Sequence, residues 1–437
     1  MNLTKAFVIS ILSLFFITKS NAQPWYDFIL EAEEKTLVYD DKVYENYIRS
    51  VAFYNRVNTE RVPVIPVVPI NGVRRLALEF DDITDDSEDY YAKLIHCNYD
   101  WSPSSFMPIE YLNEYNEYNL NDFEFSINTK VPYVHYRFNL PQVKISGNYL
   151  LIIYRGGDEE DLIITRRLVV YEEAVRVGAK AQEVIGSGEN INKQQINFSV
   201  FYGGANLEIP GENVVVTLRK NFRWQTAIKD LKPLYVKQHV GELDFNYFNL
   251  ENAFQGGNEF RFFDTGYRQA GLQIENVERG DEINAIYLYT DKPREGRVYN
   301  SQRLQNDING RFIIGNNAGS GEASVEADYN IVHFSLKTEA AYEGDVYVLG
   351  SFNDWELNEQ NKLTYNSSLA AYEGRMLLKQ GRYDYTYALY RNGKLNEMIL
   401  EGSFGLAENE YDIIVYYKPL AGRGDRVIGY QKIDVNR

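Results

Sequence analysis

Short apolar runs, separated by turn residues, dominate the chain. Leu76, Leu78 and Phe80 alternate with other residues, which is the spacing of a strand with one buried face. Residues 149–154 form an uninterrupted apolar run, which is typical of a strand covered on both faces. Similar apolar or aromatic patterns recur at residues 214–218, 286–289 and 346–349, and at Tyr383, Tyr385 and Tyr387. The pattern therefore predicts strands along most of the chain.

Turn residues stand between these runs at regular intervals. They include Gly156-Gly157-Asp158, Gly203-Gly204, Pro210-Gly211, Asn309-Gly310 and Asn392-Gly393. No amphipathic stretch of helical length stands out, although residues 110–118 could form a turn or two of helix. Short strands at regular spacing predict an all-β chain of tandem β-sandwiches, immunoglobulin-like or early-set in type.

The length of 437 residues exceeds what one hydrophobic core supports, so two or three domains are expected. We predict sandwiches at residues 45–172, 173–325 and 326–437. The first boundary follows the strand RRLVVY, and the second follows residues 315–321, a Gly-, Asn- and Ser-rich stretch that predicts a flexible loop. Prolines at every third position within residues 58–72 predict an extended edge or loop there.

Residues 1–22 have the features of a secretion signal. Lys5 precedes a short apolar core, and Ser20 and Ala22 supply small residues before Gln23. The apolar core is too short to span a bilayer comfortably, and no cysteine directly follows it to carry a lipid anchor. The sequence therefore predicts an exported protein without a membrane span.

Charge and cysteine content exclude some classes of function. The net charge of −17 argues against binding to nucleic acid, which requires a basic face. Cys97 is the only cysteine in the sequence, so an internal disulfide is impossible and stability must come from burial of apolar surface. We expect Cys97 to be a buried side chain in a strand.

Motifs that carry catalysis are absent from the sequence. The four histidines form no H-E-x-x-H or H-x-H pair, so a zinc site has no support. Neither a G-x-S-x-G elbow nor a phosphate-binding G-x-x-x-x-G-K loop occurs. His135 lies between aromatic residues and is expected to be a structural, hydrogen-bonded histidine on a strand. The sequence thus predicts no enzyme, no metal and no cofactor.

Several other patterns have a structural and a functional interpretation. The acidic run from Asp81 to Asp89 predicts a solvated loop after the LALEF strand, with calcium binding or partner contact as alternatives. The Arg423-Gly424-Asp425 triplet is interpreted as a turn. Glycines at 256 and 257 predict a tight turn into a strand on which Glu259 and Arg261 could form an exposed pair.

One block, residues 96–168, has dispersed motif positions that match a known family. They are Cys97, Asn98, Asp100, Trp101, Ser104, Tyr111, Ser126, Asn128, Thr129, Tyr133, His135, Tyr136, Pro141, Ser146, Gly147, Asn148, Tyr149, Arg166 and Arg167, with GGNEFRFFD at 256–264 downstream. Through them, residues 45–340 resemble the type IX secretion system plug proteins of Bacteroidetes-type bacteria. The resemblance implies a non-enzymatic protein that binds the outer-membrane translocon barrel of that system and closes its periplasmic entrance.

The third unit resembles the early-set sandwich of glycogen-binding modules. Gly350, Phe352, Asn353 and Trp355 match one of its motifs, and Gly381, Tyr383 and Tyr385 match the other. The resemblance implies that Trp355 would stack on a sugar ring. The lysine and second tryptophan of sugar-binding members are replaced here by Thr386 and Leu395. Binding of glycan by a periplasmic or surface protein is therefore the alternative function.

Aromatic residues are the candidates for contact with a partner or a glycan, because they are common anchors of protein interfaces. The candidates are Trp101, Tyr111, Tyr115, Tyr118 and Trp355. Each could equally belong to a hydrophobic core.

Overall fold

A computed structural model describes residues 35–57, 62–184, 192–267, 269–271, 273–294, 296, 307–317 and 322–436. The predicted secretion signal lies outside them. The described part of the chain is nearly all β, as its alternating pattern predicts. The α-helices in this part are single turns.

The elements follow one another along the chain as short strands. The first group is β1 (Lys42–Val43), β2 (Ile48–Asn55), β3 (Val67–Pro69), β4 (Leu76–Asp82), β5 (Tyr90–Cys97), α1 (Pro108–Tyr111), β6 (Tyr118–Asn119), β7 (Phe123–Phe125), β8 (Val134–Asn139), β9 (Gly147–Arg155) and β10 (Leu162–Tyr171). The second group is β11 (Arg176–Glu183), β12 (Lys193–Phe201), α2 (Pro210–Asn213), β13 (Val214–Lys220), β14 (Ile228–Leu231), β15 (Tyr235–Lys237), β16 (Glu242–Asp244) and β17 (Ala253–Gln255).

The remaining elements complete the chain. They are β18 (Arg261–Asp264), β19 (Ile274–Arg279), β20 (Asn284–Leu288), β21 (Phe312–Ile314), α3 (Ala323–Glu326), β22 (Tyr329–Lys337), β23 (Asp345–Leu349), β24 (Lys362–Asn366), β25 (Ala371–Lys379), β26 (Gly381–Arg391), β27 (Lys394–Asn396), α4 (Met398–Glu401), β28 (Asn409–Tyr417) and β29 (Arg426–Val435). Short 3-10 helices are formed by Ile70–Arg75, Gln238–Val240 and Ser351–Asn353.

The first domain, residues 42–171, is a sandwich of two sheets. One sheet has the order β1-β10-β9-β5-β6, with β3 added in parallel beside β10, and the other has the order β2-β4-β8-β7. Between them lie apolar side chains such as Phe80, Leu94 and Leu151. The proline-rich segment contributes β3 at the margin of the first sheet, as the spacing of its prolines predicts.

The middle domain differs from the predicted unit because its last two strands come from the end of the chain. One sheet has the order β11-β12-β16-β15, with β17 beside β12, and the other has the order β14-β13-β28-β29. Strand β13 pairs with β28 over seven residues, from Val214↔Tyr417 to Lys220↔Tyr411. The domain therefore consists of residues 176–255 and 409–435, which enclose one core.

The third domain, residues 261–401, is inserted between these two parts. Its strands follow the order β18-β26-β23-β24-β25-β22-β20-β19, with β21 and β27 also beside β26. Strand β18 pairs with β26 and strand β20 pairs with β22, so the predicted division at residue 325 cuts through this sheet. Pairing between distant strands, which local sequence patterns do not encode, sets the true division.

Contact between the first and middle domains explains the apolar run at residues 149–154. One face of β9 faces the core of its own sandwich. Its other face, with Leu150 and Ile152, packs against Val215 and Ile414 of the middle domain. The strand is thus covered on both faces, as its sequence predicts.

Candidate partner surface and interdomain sites

A charged cluster is buried where the first and third domains meet. Asp81 on β4 accepts hydrogen bonds from His135 Nδ1 at 2.7 Å, Tyr329 Oη at 2.7 Å and Lys379 Nζ at 2.6 Å. His135 also contacts Glu79 through Nε2 at 3.2 Å. Since Lys379 and Asp81 are both almost wholly buried, the pair is an interdomain ion pair shielded from water.

The pKa shifts in this cluster follow from its geometry. Burial opposes the charged form of His135, but hydrogen bonds to Asp81 and Glu79 outweigh it and hold the pKa above its usual value. Burial likewise opposes ionisation of Asp81, but Lys379 and His135 hold the pKa of that carboxyl below its usual value. The cluster is therefore a set of compensated charges.

His135 lies on a strand and is hydrogen-bonded, as the sequence predicts. Each of its ring nitrogens faces a carboxylate, so neither is positioned to take a proton from a serine or a water. Within the described residues, no group of three or more His, Cys, Asp and Glu side chains is arranged to hold a metal ion.

The predicted acidic loop begins two residues too early. Asp81 and Asp82 belong to β4 and are buried, whereas Asp85, Asp86 and Glu88 lie in the exposed connection that follows. Asp82 accepts a hydrogen bond from Tyr90 Oη at 2.7 Å. The strand continues into the acidic run because both carboxylates find buried hydrogen-bond donors.

Tryptophans and arginines interleave where all three domains meet. Arg167 of the first domain lies 4.7 Å from the ring centre of Trp101 and 5.4 Å from that of Trp224 in the middle domain. Arg219 covers Trp224 at 4.2 Å. We call this place the junction, and its members are Trp101, Arg166, Arg167, Arg219, Arg223, Trp224, Asp354 and Trp355.

The third domain enters the junction through a single turn. Asp354 accepts a hydrogen bond from Arg166 Nη2 at 2.9 Å, and the ring centre of Trp355 lies 3.9 Å from the guanidinium of Arg223. Desolvated cation–π contacts of this kind contribute about 2 kcal/mol each. One turn of the third domain therefore contacts both other domains.

Each domain has left-handed backbone in the junction or directly next to it in the sequence. Trp101 has φ 70°, Phe222 has φ 61°, and Asp354 and Trp355 have φ 54° and 60°. Such conformations are unfavourable for bulky residues and persist only when surrounding contacts fix them. The contacts between domains thus hold these turns in place.

The structure buries three of the five candidate contact residues. Trp101 and Tyr111 are almost fully buried, and Trp355 is 9% exposed. Tyr118 is half-buried, and Tyr115 is 81% exposed. Trp101, Tyr111 and Trp355 are core residues in this fold, whereas Tyr115 remains a predicted contact.

Burial also removes the predicted sugar platform. The ring of Trp355 is covered by Arg223, and Phe260 packs against it edge-on at 5.8 Å. Thr386 is buried in β26, and Leu395 packs near Trp355 in the same cluster. The indole has no free face for a pyranose, so the alternative function loses its basis.

Other predicted positions also have structural roles. Cys97 is fully buried at the end of β5, as expected. The Arg423-Gly424-Asp425 turn joins two domains, because Arg423 pairs with Glu110 and Asp425 accepts the amide of Tyr99 at 3.1 Å. The prediction for Arg261 was wrong, since it is buried and binds Glu401 at 2.9 Å and Lys292 O at 2.7 Å.

One group of exposed apolar side chains lies at the edge of the first domain. Phe123 and Phe125 on β7, and Ile127 just after it, have exposed fractions of 37%, 50% and 49%. They were not among the predicted contacts, although their alternation with Glu124 and Ser126 is visible in the sequence. We call Phe123, Phe125 and Ile127 the β7 patch.

Comparison with known proteins identifies the first domain. The family model for the type 9 secretion system plug protein 1st domain matches residues 48–172. Residues 48–172 are therefore similar to the first domain of type 9 secretion system plug proteins. The plug domain indicates a role in the type IX secretion system, with a periplasmic location. No curated protein matches the chain.

A solved structure has the same fold over nearly the whole chain. It is a crystal structure, at 2.30 Å resolution, of a hypothetical protein from Parabacteroides merdae ATCC 43184. The two are 29% identical with a TM-score of 0.82, and the match covers 91% of this chain and 100% of the other. No described helix is both long and apolar enough to cross a membrane.

Proposed function

We propose that this chain is a non-enzymatic periplasmic plug, which binds the outer-membrane translocon of the type IX secretion system and closes its periplasmic entrance. The observation that carries the proposal is the match of residues 48–172 to the first domain of plug proteins. The secretion signal predicted at residues 1–22 is consistent with it, since a plug at that entrance has to be exported.

Physical requirements of a plug agree with the fold. A barrel wide enough for folded cargo leaks unless a stiff body fills its entrance. Separate domains on flexible linkers would move apart, because interfaces between domains are often small and polar. Here the buried Asp81–Lys379 pair and the junction fasten the domains to one another without a disulfide.

The non-enzymatic part of the proposal has its own support. Both ring nitrogens of His135 are occupied by carboxylates, and its neighbour Tyr329 donates to Asp81. The cluster is therefore suited to hold two domains together. A turnover assay against ester, peptide and glycoside substrates should give the same rate for the wild type and for His135→Gln, and a rate that falls with the substitution would contradict this part.

Co-purification tests the binding step directly. The translocon barrel, isolated through an affinity tag from cells that express this chain at its natural level, should carry it at a ratio near one to one. An unrelated exported β-sandwich protein, expressed equally, is the control for trapping in detergent. Absence of the chain from the isolated barrel would reject the proposal.

Closure of the translocon pore is tested by a second measurement, the permeability of the outer membrane. Cells without this chain should admit a large antibiotic such as vancomycin, and expression of the wild type should restore the barrier. The translocon barrel must be present for this effect, so deletion of both genes should restore the barrier as well. Equal permeability with and without the chain would mean that it binds without closing the pore.

A further inference from the structure

The β7 patch is placed at a sheet edge of the plug domain. In the order β2-β4-β8-β7, the strand β7 is the terminal one, and its residues are exposed. Phe123 contacts Tyr136 and Phe125, with ring centres 5.5 and 6.0 Å apart. The patch is thus a fixed apolar surface beside a strand edge.

The hydrogen-bond pattern shows which backbone groups face outward. Arg137 N donates to Asp122 O at 2.8 Å, and Ser126 N donates to Tyr133 O at 2.8 Å. In an antiparallel pair the bonded positions alternate, so Phe123 and Phe125 direct their amides and carbonyls away from β8. The amide of Ile127, the next outward position, already donates to Val325 O at 2.8 Å, so the open part of the edge is formed by Phe123 and Phe125. Such an edge is a template for an added strand, which proteins normally blunt with charge or cover.

Charge around the patch is negative. Arg137 lies within 4 Å of four carboxylates, those of Glu79, Asp122, Glu124 and Glu322. Glu79 is buried and also contacts His135, so the exposed acids at this edge are Asp122, Glu124 and Glu322, set against the single guanidinium of Arg137. Three of the carboxylates are about half exposed, so the field reaches a partner at the edge.

Strand β15 of the middle domain offers a comparison. It is also the terminal strand of its sheet, and Tyr235 and Val236 on it are 54% and 41% exposed. It lies outside residues 48–172, the part that matches plug proteins. The β7 patch is favoured because an open edge, apolar side chains and acidic surroundings occur together within the plug domain.

We propose that β7 is the docking edge of the plug, to which an extended, basic segment of the translocon adds as a further strand. Main-chain hydrogen bonds to Phe123 and Phe125 would give affinity, apolar side chains of the segment would cover the patch, and its lysines or arginines would face Glu124 and Glu322. The inference rests on the proposed function and names the surface that performs it.

A matched pair of substitutions tests the patch. Phe125→Glu places a charge in the patch, and Tyr235→Glu makes the same change at the comparison edge. With the isolated translocon, Phe125→Glu should weaken binding by at least about tenfold, the effect expected of one interface anchor, while Tyr235→Glu binds as the wild type does. Equal binding by all three proteins would overturn the inference and leave the proposed function standing.

Two further variants separate the contribution of main-chain hydrogen bonds to translocon binding from the contribution of charge. Phe125→Pro removes an outward amide that β8 does not use, so it should also weaken binding by about tenfold while unfolding at a denaturant concentration close to that of the wild type. Glu124→Lys with Glu322→Lys should weaken binding and reduce its dependence on salt. Glu359→Lys, at an exposed position of the third domain, is the charge control.

If another partner binds at the β7 edge, the same variants give a different pattern of binding. If β7 pairs with a second copy of this chain, Phe125→Glu will turn a dimer into a monomer in sedimentation and leave translocon binding unchanged, which overturns the inference. A photo-crosslinking residue at position 125 should capture the barrel, and one at position 235 should not. If the wild type does not bind the translocon, the proposed function fails and this inference fails with it.

Discussion

Lys379 joins the first and third domains through a buried charge. Its ammonium group is buried, donates to Asp81 and to Ser324 O at 2.6 Å, and lies 4.0 Å from the ring centre of Tyr133. A buried charge is stable only while its partners remain.

Lys379→Met should therefore destabilise the protein by about 3–5 kcal/mol, because Asp81 would stay buried without its lysine partner. Denaturant unfolding measures the change. Lys362→Met is the matched control, since Lys362 forms an exposed pair with Asp345 in the same domain and should matter little. A loss as small as that of the control would mean that the buried pair adds nothing to the fold.

His135 should make stability depend on pH. Its pKa is higher in the folded protein than in the unfolded chain, where histidine titrates near 6.5. The stabilisation is complete below that unfolded value and is lost as the pH rises through the folded one. Unfolding free energies from pH 5 to 9 should fall with pH more steeply for the wild type than for His135→Gln. The exposed His239→Gln should keep the wild-type slope.

For single residues, the sequence predicts some structural roles and misses others. The placement of His135 on a strand and the burial of Cys97 follow from their apolar neighbours. The burial of Asp81 does not, because its compensating Lys379 is 298 residues away in the sequence. Arg166 and Arg167 within an otherwise apolar strand are the local signal that could have indicated the junction.

At the scale of elements, the hairpin β28–β29 is the main departure from the predicted organisation. Its strands have the same alternating pattern as their neighbours, and nothing in that pattern names β13 as the partner. A single sequence predicts that a strand exists far better than it predicts which strand lies beside it. The all-β class is therefore predicted correctly, whereas the division at residue 325 is not.

A variant that ends at residue 403 tests this organisation. It lacks β28 and β29 and leaves β13 without its long neighbour, so the middle domain should lose its core while the third domain stays folded. Hydrogen exchange should show rapid exchange in β12 and β13 and continued protection in β23 and β26. Protection in β13 together with loss in β26 would favour the contiguous division instead.

For the whole molecule, the junction decides whether the domains act as one body. Trp224 touches arginines of two domains and packs edge-on against Trp101, with ring centres 5.2 Å apart. Removing its indole takes away contacts that join the first and middle domains.

Trp224→Ala should cost about 3–5 kcal/mol and separate the domains thermally, because a large buried side chain is lost at their contact. Calorimetry should then resolve two or more transitions, whereas the wild type should unfold in one. Tyr235→Ala, an exposed aromatic of the same domain, should leave the wild-type profile unchanged. A single transition shifted to lower temperature would mean that other contacts keep the domains coupled.

The distance along the chain between β13 and its neighbour β28 has a consequence for biosynthesis. The ribosome makes β13 some 190 residues before β28, so the middle domain stays open until β28 and β29 have been made. This domain therefore closes only after the third domain, which lies between its two parts, has been synthesised. Chains that terminate before β28 would lack a complete middle domain and would expose its apolar core to proteases.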